Sequence, residues 1–230
     1  MKAIAHIEND FPTKFGIPRQ SGRISELKAK IVFEPEFRNP DAFRGLEEYS
    51  HIWLIWEFSE NVSKEWMPLV RPPRLGGNVK KGVFATRSPI RPNPLGLSCV
   101  KLDRIAVQKE LGTVLYVSGA DLMDGTPIFD VKPYVPYSDC HPEASGSFPE
   151  KMKDHKLQVE FPQELLMKLP EKDRKAVLKV LADDPRPGYQ HDVNKRYGMP
   201  FGKKDIHFTV EGNTLKVFDV TEFEKNTCKF

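Results

Sequence analysis

His51-Ile-Trp-Leu-Ile-Trp-Glu-Phe58 is nearly all apolar over eight residues. The run is too short for an ordinary helix and rich in isoleucine and tryptophan, so it reads as a buried β-strand. Before it, Lys28-Ala-Lys-Ile-Val-Phe33 places Ala29, Ile31 and Phe33 on one face at period two. Ala3 to Ile7, Val83 to Thr86, Leu97 to Leu102, Thr113 to Ser118 and Ile128 to Lys132 bring the expected strands to seven, separated by proline and glycine turns. Asp41 to Glu48 reads as a helical turn or short helix that Asp41 can cap. Strands with almost no helices between them predict a mainly β protein whose N-terminal part is an antiparallel or mixed barrel, not a doubly wound sheet. No Gly-x-Gly-x-x-Gly follows a strand, and no Gly-x-x-x-x-Gly-Lys-Ser/Thr loop occurs. The usual dinucleotide, adenosine and phosphate fingerprints are therefore missing.

The pattern changes after residue 140. His141-Pro-Glu-Ala-Ser-Gly-Ser-Phe-Pro149 is small, polar and turn-rich, as a linker would be. Gln163 to Leu169 and Lys172 to Ala182 have helical spacing, with Val177, Leu178 and Leu181 on one stripe and Asp183-Asp184-Pro185 as the stop. Ile206 to Val210 and Thr214 to Val220, joined by Glu-Gly-Asn, read as a β-hairpin. The expected organisation is a barrel over residues 1–140, a linker over 141–149 and a smaller α+β unit over 150–230. A unit of that size is expected to pack on the barrel or on another subunit.

Composition excludes more than it identifies. With 39% hydrophobic and 29% charged residues, no apolar run approaches the roughly 20 residues of a membrane span. The opening Met-Lys-Ala-Ile-Ala-His lacks signal-peptide character, so the expectation is a cytoplasmic protein. Cys99, Cys140 and Cys228 are widely spaced, and the six histidines show no ligand spacing, so neither a disulfide framework nor a metal site is expected.

Net charge is only +3, and its distribution is more informative than its size. From Trp66 through Leu102 there are seven basic side chains (Arg71, Arg74, Lys80, Lys81, Arg87, Arg91, Lys101) and no Asp or Glu. Asp121 through Asp139 carries four acids against Lys132 alone. Within the basic segment, Arg87-Ser-Pro-Ile-Arg-Pro-Asn-Pro-Leu-Gly96 has three prolines that set their own φ and extend the residues before them. That loop should be stiff. It either presents Arg87 and Arg91 to an anionic ligand at low entropic cost or is a surface loop with two solvated arginines. An electropositive and an acidic segment together suit a site for one anionic and one cationic group.

Four segments carry a resemblance: Phe11-Pro-Thr-Lys-Phe-Gly-Ile-Pro-Arg-Gln-Ser-Gly22; Arg71-Pro-Pro-Arg-Leu-Gly-Gly-Asn78 with Gly82 to Ser98; Asp121-Leu-Met-Asp-Gly-Thr-Pro-Ile-Phe-Asp-Val-Lys-Pro-Tyr134; and Asp184-Pro-Arg-Pro-Gly-Tyr189. In this order they resemble the TsaA-like, TrmO-type family of tRNA adenosine methyltransferases. The resemblance implies a non-Rossmann β-barrel enzyme that uses S-adenosylmethionine. It also implies a homodimer with the cofactor pocket near the subunit interface, and methylation of the exocyclic nitrogen of threonylcarbamoyl-adenosine beside the anticodon. Implied cofactor contacts fall on Gln20, Ser21, Gly22, Ser59, Glu60, Arg87, Leu97 and Asp121, Leu122, Met123 and Asp124. Relatives often carry His-Gln where this chain has Ser59-Glu60. Under this reading Asp121 and Asp124 hold the cofactor's amines, Arg87 pairs with its carboxylate, and Leu97 and the backbone near Phe84 flank its adenine.

An acylated nitrogen is a poorer nucleophile with a more acidic proton, so a base within hydrogen-bond reach is expected. Asp121, Asp124, Asp130 and Tyr134 are the candidates, each with a structural alternative; Asp124-Gly125, for instance, is a common turn pair. Arg91 is assigned to the substrate's threonyl carboxylate, with Asn93 beside it. Arg71, Arg74, Lys80 and Lys81 are assigned to anticodon-stem phosphates. Trp53 and Trp56 are read as core or interface, and Trp66 as a possible base-stacking residue. Two rivals remain open at this point: a non-catalytic RNA-binding barrel, and a hydrolase acting on a small phosphorylated metabolite.

Overall fold

The computed structural model describes residues 1–61, 65–72, 79–146, 156–187 and 192–224. Arg74, Cys228, the last three residues of the expected linker and residues 188–189 of the fourth segment lie outside them. Among the described residues, eight strands precede residue 140: β1 (Ala5–Glu8), β2 (Lys28–Phe33), β3 (His51–Glu57), β4 (Leu69–Val70), β5 (Lys81–Gly82), β6 (Leu95–Gln108), β7 (Gly112–Ser118) and β8 (Pro127–Pro133). Six of them close a barrel in the order β1-β2-β7-β6-β3-β8, with β8 returning to β1. Every pairing in it is antiparallel.

Period-two alternation fills the barrel. Ile52, Leu54 and Trp56 of β3 point inward with Gly96, Ser98 and Val100 opposite them on β6. Ile7, Ile31, Leu115 and Ile128 complete a fully buried interior. Burying each such side chain stabilises the fold by about 1.5–3 kcal/mol. Gly96 is required by its partner, because a Cβ there would overlap the Trp56 indole ring.

Three expectations need correction. β3 is buried on one face only, with Trp53, Ile55 and Glu57 half-exposed on the other. Val83 to Thr86 is not a strand: Val83–Ala85 forms a 3-10 turn closed by the Thr86 hydroxyl on the Val83 carbonyl at 2.9 Å, so six strands make the barrel, not seven. Asp41 to Glu48 is two 3-10 turns, Pro40–Phe43 and Leu46–Glu48, and the first is capped by Asn39, whose side chain accepts from the Asp41 amide.

After a short helix α1 (Pro136–Asp139) come β9 (Gln158–Glu160), α2 (Gln163–Leu166), α3 (Glu171–Ala182), β10 (Tyr197–Phe201), β11 (Lys204–Glu211) and β12 (Thr214–Glu222). The strands form a second sheet in the order β10-β11-β12-β9. The expected hairpin is β11–β12, turned at Gly212, whose φ of 59° suits glycine. β10 contains Gly198 and Pro200, which hid it from strand signals, and it sits at the sheet's edge, where proline is tolerated. Helix α3 buries Ala176, Val177, Val180 and Leu181 on this sheet, while Leu178 is only half-buried.

The second core reaches back into the N-terminal sequence. Phe11, Ile24 and Leu27 are buried among Leu181, Met199, Phe201 and Phe208, with Phe11 edge-on to Phe201 at 5.3 Å. Around it, Arg23 pairs with Asp183 through Nε at 3.1 Å, and Lys179 pairs with Glu26 at 2.6 Å. The segment between β1 and β2 is thereby held on both sides.

Candidate functional site

A cleft of about 630 Å³ opens at the barrel end where β3 runs out. One wall is the end of β3 with the following 3-10 turn, Trp56 to Glu60; the second is the proline loop with the start of β6; the third joins residues 17–20 to the strand-to-strand turn at 121–126.

The floor carries one carboxylate. After β7 the chain turns at Gly119, with φ of 78°, where a Cβ would lie 3.2 Å from the Gly22 backbone. That close approach lets the Gly22 amide donate to the Gly119 carbonyl at 2.8 Å and brings Gln20 to Gly22 alongside Asp121. Inside the barrel, Trp56 Nε1 donates to Ser98 Oγ at 2.9 Å, and Ser98 Oγ donates to Asp121 Oδ1 at 2.5 Å. Burial raises the Asp121 pKa above the ordinary carboxylate value; hydrogen bonds from Ser98 and the Ser21 amide and the charge of Arg87 oppose the shift without cancelling it.

Two cations of the proline loop line the same cleft as this carboxylate. Arg87 is exposed and donates to the Gln20 side chain. Arg91 is half-buried and bonds the Thr86 carbonyl at 3.2 Å. The loop is tied at its C-terminal end by Leu95 N–H on Asn93 O at 2.7 Å and Phe58 N–H on Pro94 O at 2.9 Å, and at its start by Ser88 N–H on Thr86 Oγ1 at 3.3 Å. The stiffness expected of three prolines is reinforced by these closures.

Gln20, Ser59, Glu60, Arg87, Arg91, Asn93, Leu97, Asp121 and Met123 all line the cleft. Others among the sequence candidates lie behind or away from it. Leu122 is completely buried. Ser21 accepts the Cys99 amide through Oγ at 3.1 Å. Asp124 accepts the Asn9 amide at 3.1 Å in the turn that contains Gly125. Asp130 pairs with Lys132 at 3.0 Å on the outer face of β8, opposite Ile55. Tyr134 packs tilted against Trp53 with ring centres 5.8 Å apart, beyond the far end of β8, and desolvation raises its pKa, which makes its phenolate scarcer at neutral pH. Phe84 is 75% exposed and is not part of the lining. Arg71 and Lys80 are exposed and Lys81 is half-buried, all on or beside the two-stranded β4–β5 ribbon, outside the cleft.

Sequence reasoning missed Lys14, Arg19 and Trp56 as lining residues. Lys14 Nζ reaches the Glu60 carbonyl at 2.9 Å. Arg19 donates to the carbonyls of Arg186 at 2.7 Å and Asp184 at 3.3 Å, so the fourth motif backs the cleft wall from the second unit. Arg186 itself grips Asp184 through Nε at 2.9 Å and Nη2 at 3.0 Å, and Asp184 has a φ of 54°. The only sequence signal for Arg19 was its place in the Phe11–Gly22 segment. Among the described residues no group of His, Cys, Asp or Glu is arranged to hold a metal, and no helix is long and apolar enough to cross a membrane.

A closed antiparallel barrel with a carboxylate floor, a guanidinium rim and no glycine-rich phosphate loop defines a small-ligand-binding barrel outside the Rossmann class. The chain belongs to the TrmO family: residues 6–140 match the tRNA-methyltransferase O N-terminal domain, and residues 154–223 match the TrmO C-terminal domain. It is 35% identical over 223 residues to a tRNA (adenine(37)-N6)-methyltransferase of Escherichia coli, covering 94% of each chain. It is 45% identical over 164 residues to an enzyme of the same name from Eikenella corrodens, covering 71% of this chain and 92% of that one. The crystal structure of TrmO from Pseudomonas aeruginosa superposes with a TM-score of 0.74 at 31% identity, covering 95% of this chain and 97% of that one.

Proposed function

We propose that this protein is an S-adenosylmethionine-dependent tRNA methyltransferase acting on the exocyclic nitrogen of threonylcarbamoyl-adenosine beside the anticodon. The observation that carries the reading is the convergence of Asp121, Arg87 and Arg91 on one cleft with an apolar edge at Trp56 and Leu97. The relatives' shared name, tRNA (adenine(37)-N6)-methyltransferase, supports it.

The cleft suits this cofactor. Its volume of about 630 Å³ lies in the usual range for small-molecule sites. A buried carboxylate and an exposed guanidinium match the amines and carboxylate of a charged nucleoside ligand. When bound, the cofactor supplies an electrophilic methyl group on a sulfonium. Asp121 holds an amine, with its own carboxylate fixed by Ser98; Arg87 pairs with the amino-acid carboxylate, and Leu97 covers the base. Arg91 holds the threonyl carboxylate of the substrate, and the stiff loop keeps both arginines in register. Alignment of this kind can supply roughly 7–11 kcal/mol of rate acceleration. Of the four candidate proton acceptors, Asp121 alone borders the cleft.

The rest of the reading is a barrel over 1–140, a linker over 141–149, a packed α+β unit over 150–230, a homodimeric assembly and a cytoplasmic site of action. Mass spectrometry of nucleosides from tRNA incubated with protein and S-adenosylmethionine tests the activity. Methylated threonylcarbamoyl-adenosine is expected. Methylation of plain adenosine, or none, overturns the substrate assignment. Thermal unfolding separates an enzyme from a bare RNA-binding barrel, since cofactor at about 100 times its Kd should add ~2.7 kcal/mol.

A further inference from the structure

We infer that Trp66 and Phe84 form a stacking platform for an unpaired RNA base adjacent to the target nucleotide, outside the methyl-transfer cleft. This rests on the tRNA methyltransferase reading above and adds a subsite to it.

Trp66 is 49% and Phe84 75% exposed, yet their rings lie near-parallel, at 21° with centres 6.3 Å apart. Two large aromatic faces left in water without a core to enter mark a binding surface more than a packing feature. Neither ring lines the cleft, but both are anchored next to it. The Val83 amide donates to the Pro68 carbonyl at 2.9 Å, and the Met67 amide faces the Ile90 carbonyl at 3.5 Å. The residues flanking the two rings are thus attached to the loop whose Arg91 borders the cleft. A strand of RNA that delivers one base into the cleft passes its neighbour over this pair.

The charge around the rings selects the occupant. Arg71 and Lys80 are exposed and Lys81 half-buried on or beside the same ribbon, and apart from Glu65 next to Trp66 no Asp or Glu occurs from residue 65 to 102. A second copy docked here by two-fold symmetry would set this positive strip against itself. A polyanion with exposed π-faces meets both features at once: phosphates on the cations and a base on the rings. Base–aromatic stacking is tolerant of sequence, so the platform grips the loop without choosing among bases.

The test uses the full protein and a synthetic anticodon stem-loop carrying threonylcarbamoyl-adenosine, together with the same RNA made abasic on one side or the other of that residue. Trp66→Ala and Phe84→Ala should each weaken RNA binding roughly 5- to 100-fold, with Trp66→Phe recovering most of the loss. One abasic RNA should lose a similar factor on the wild type and almost nothing further on Trp66→Ala. Cofactor affinity by calorimetry and oligomeric state by sedimentation should not move. Unchanged RNA affinity in both alanine variants, or an abasic loss fully additive with Trp66→Ala, overturns the platform. A shift in oligomeric state with intact RNA affinity overturns it in favour of a self-association surface. If the wild type does not bind the stem-loop, the platform and the function both fall. If it binds and methylates while the alanine variants are fully competent, only the platform falls.

Discussion

Ser98, completely buried inside the barrel, donates its hydroxyl to Asp121 Oδ1 at 2.5 Å. This bond ties the barrel interior to the cleft floor. Because Ser98 also accepts from Trp56 Nε1 at 2.9 Å, the carboxylate is oriented by a chain that begins on β3.

Asp121→Asn should weaken S-adenosylmethionine binding, read by calorimetry, while leaving the barrel intact, since the amide oxygen can still accept from Ser98. Retained affinity with lost turnover would instead make Asp121 the proton acceptor. The variant also has a pH signature. Because the folded pKa of Asp121 is raised, the folded state binds the proton more tightly than the unfolded chain. The contribution to stability is full below the unfolded value of about 3.9 and is lost as pH rises through the folded value. Wild-type stability minus that of Asp121→Asn should therefore fall with rising pH over that interval, by denaturant titration.

Arg19→Ala removes the donor to the Arg186 and Asp184 carbonyls. Loss of a charged hydrogen-bond donor should cost about 2 kcal/mol of stability. It should also loosen cofactor binding, because the neighbouring Gln20 positions Arg87. Arg19→Lys keeps the charge but not the planar fork and should recover only part of both losses. Wild-type unfolding and cofactor affinity in Arg19→Ala would refute the coupling.

The two loop arginines should separate kinetically. Arg87→Ala is expected to raise the apparent cofactor Kd, whereas Arg91→Ala should leave it alone and lower kcat/KM for tRNA, at least tenfold in each case. Equal cofactor affinity in wild type and Arg87→Ala would show the division to be wrong.

Glu26 bonds Lys179 at 2.6 Å and Lys175 at 3.2 Å, and these partners, Lys179 first, lower its pKa to about 2. A depressed acid stabilises the fold above its unfolded value of about 4.3, and that contribution disappears as pH falls toward 2. Glu26→Gln should cost about 1 kcal/mol at pH 7 and nothing near pH 2, in urea titrations at low salt.

Much of the barrel was legible locally. The alternation in Lys28–Phe33 and the proline and glycine breaks around the other strands reflect backbone and side-chain geometry that neighbouring residues set among themselves. Val83 to Thr86 shows where local reading fails: β-branched and aromatic residues suggest a strand, but the segment is held as a turn by Pro68 and by the Thr86 hydroxyl. The site divides in the same way. The proline loop and the separated basic and acidic segments were visible because rigidity and charge belong to composition. Asp130 looked equivalent to Asp121, yet the register of β8 on β3 puts it opposite Ile55 on the outer face.

A strand-rich barrel with a stiff, doubly charged loop follows from the residues alone, because φ restriction, side-chain periodicity and charge are local properties. Long-range packing is what turns Asp121 to the cleft with Ser98 behind it, anchors Arg19 on residues more than 160 positions away, and sets Trp66 beside Phe84. Those relations depend on barrel closure and strand register, which are settled by the burial of all the interior side chains together.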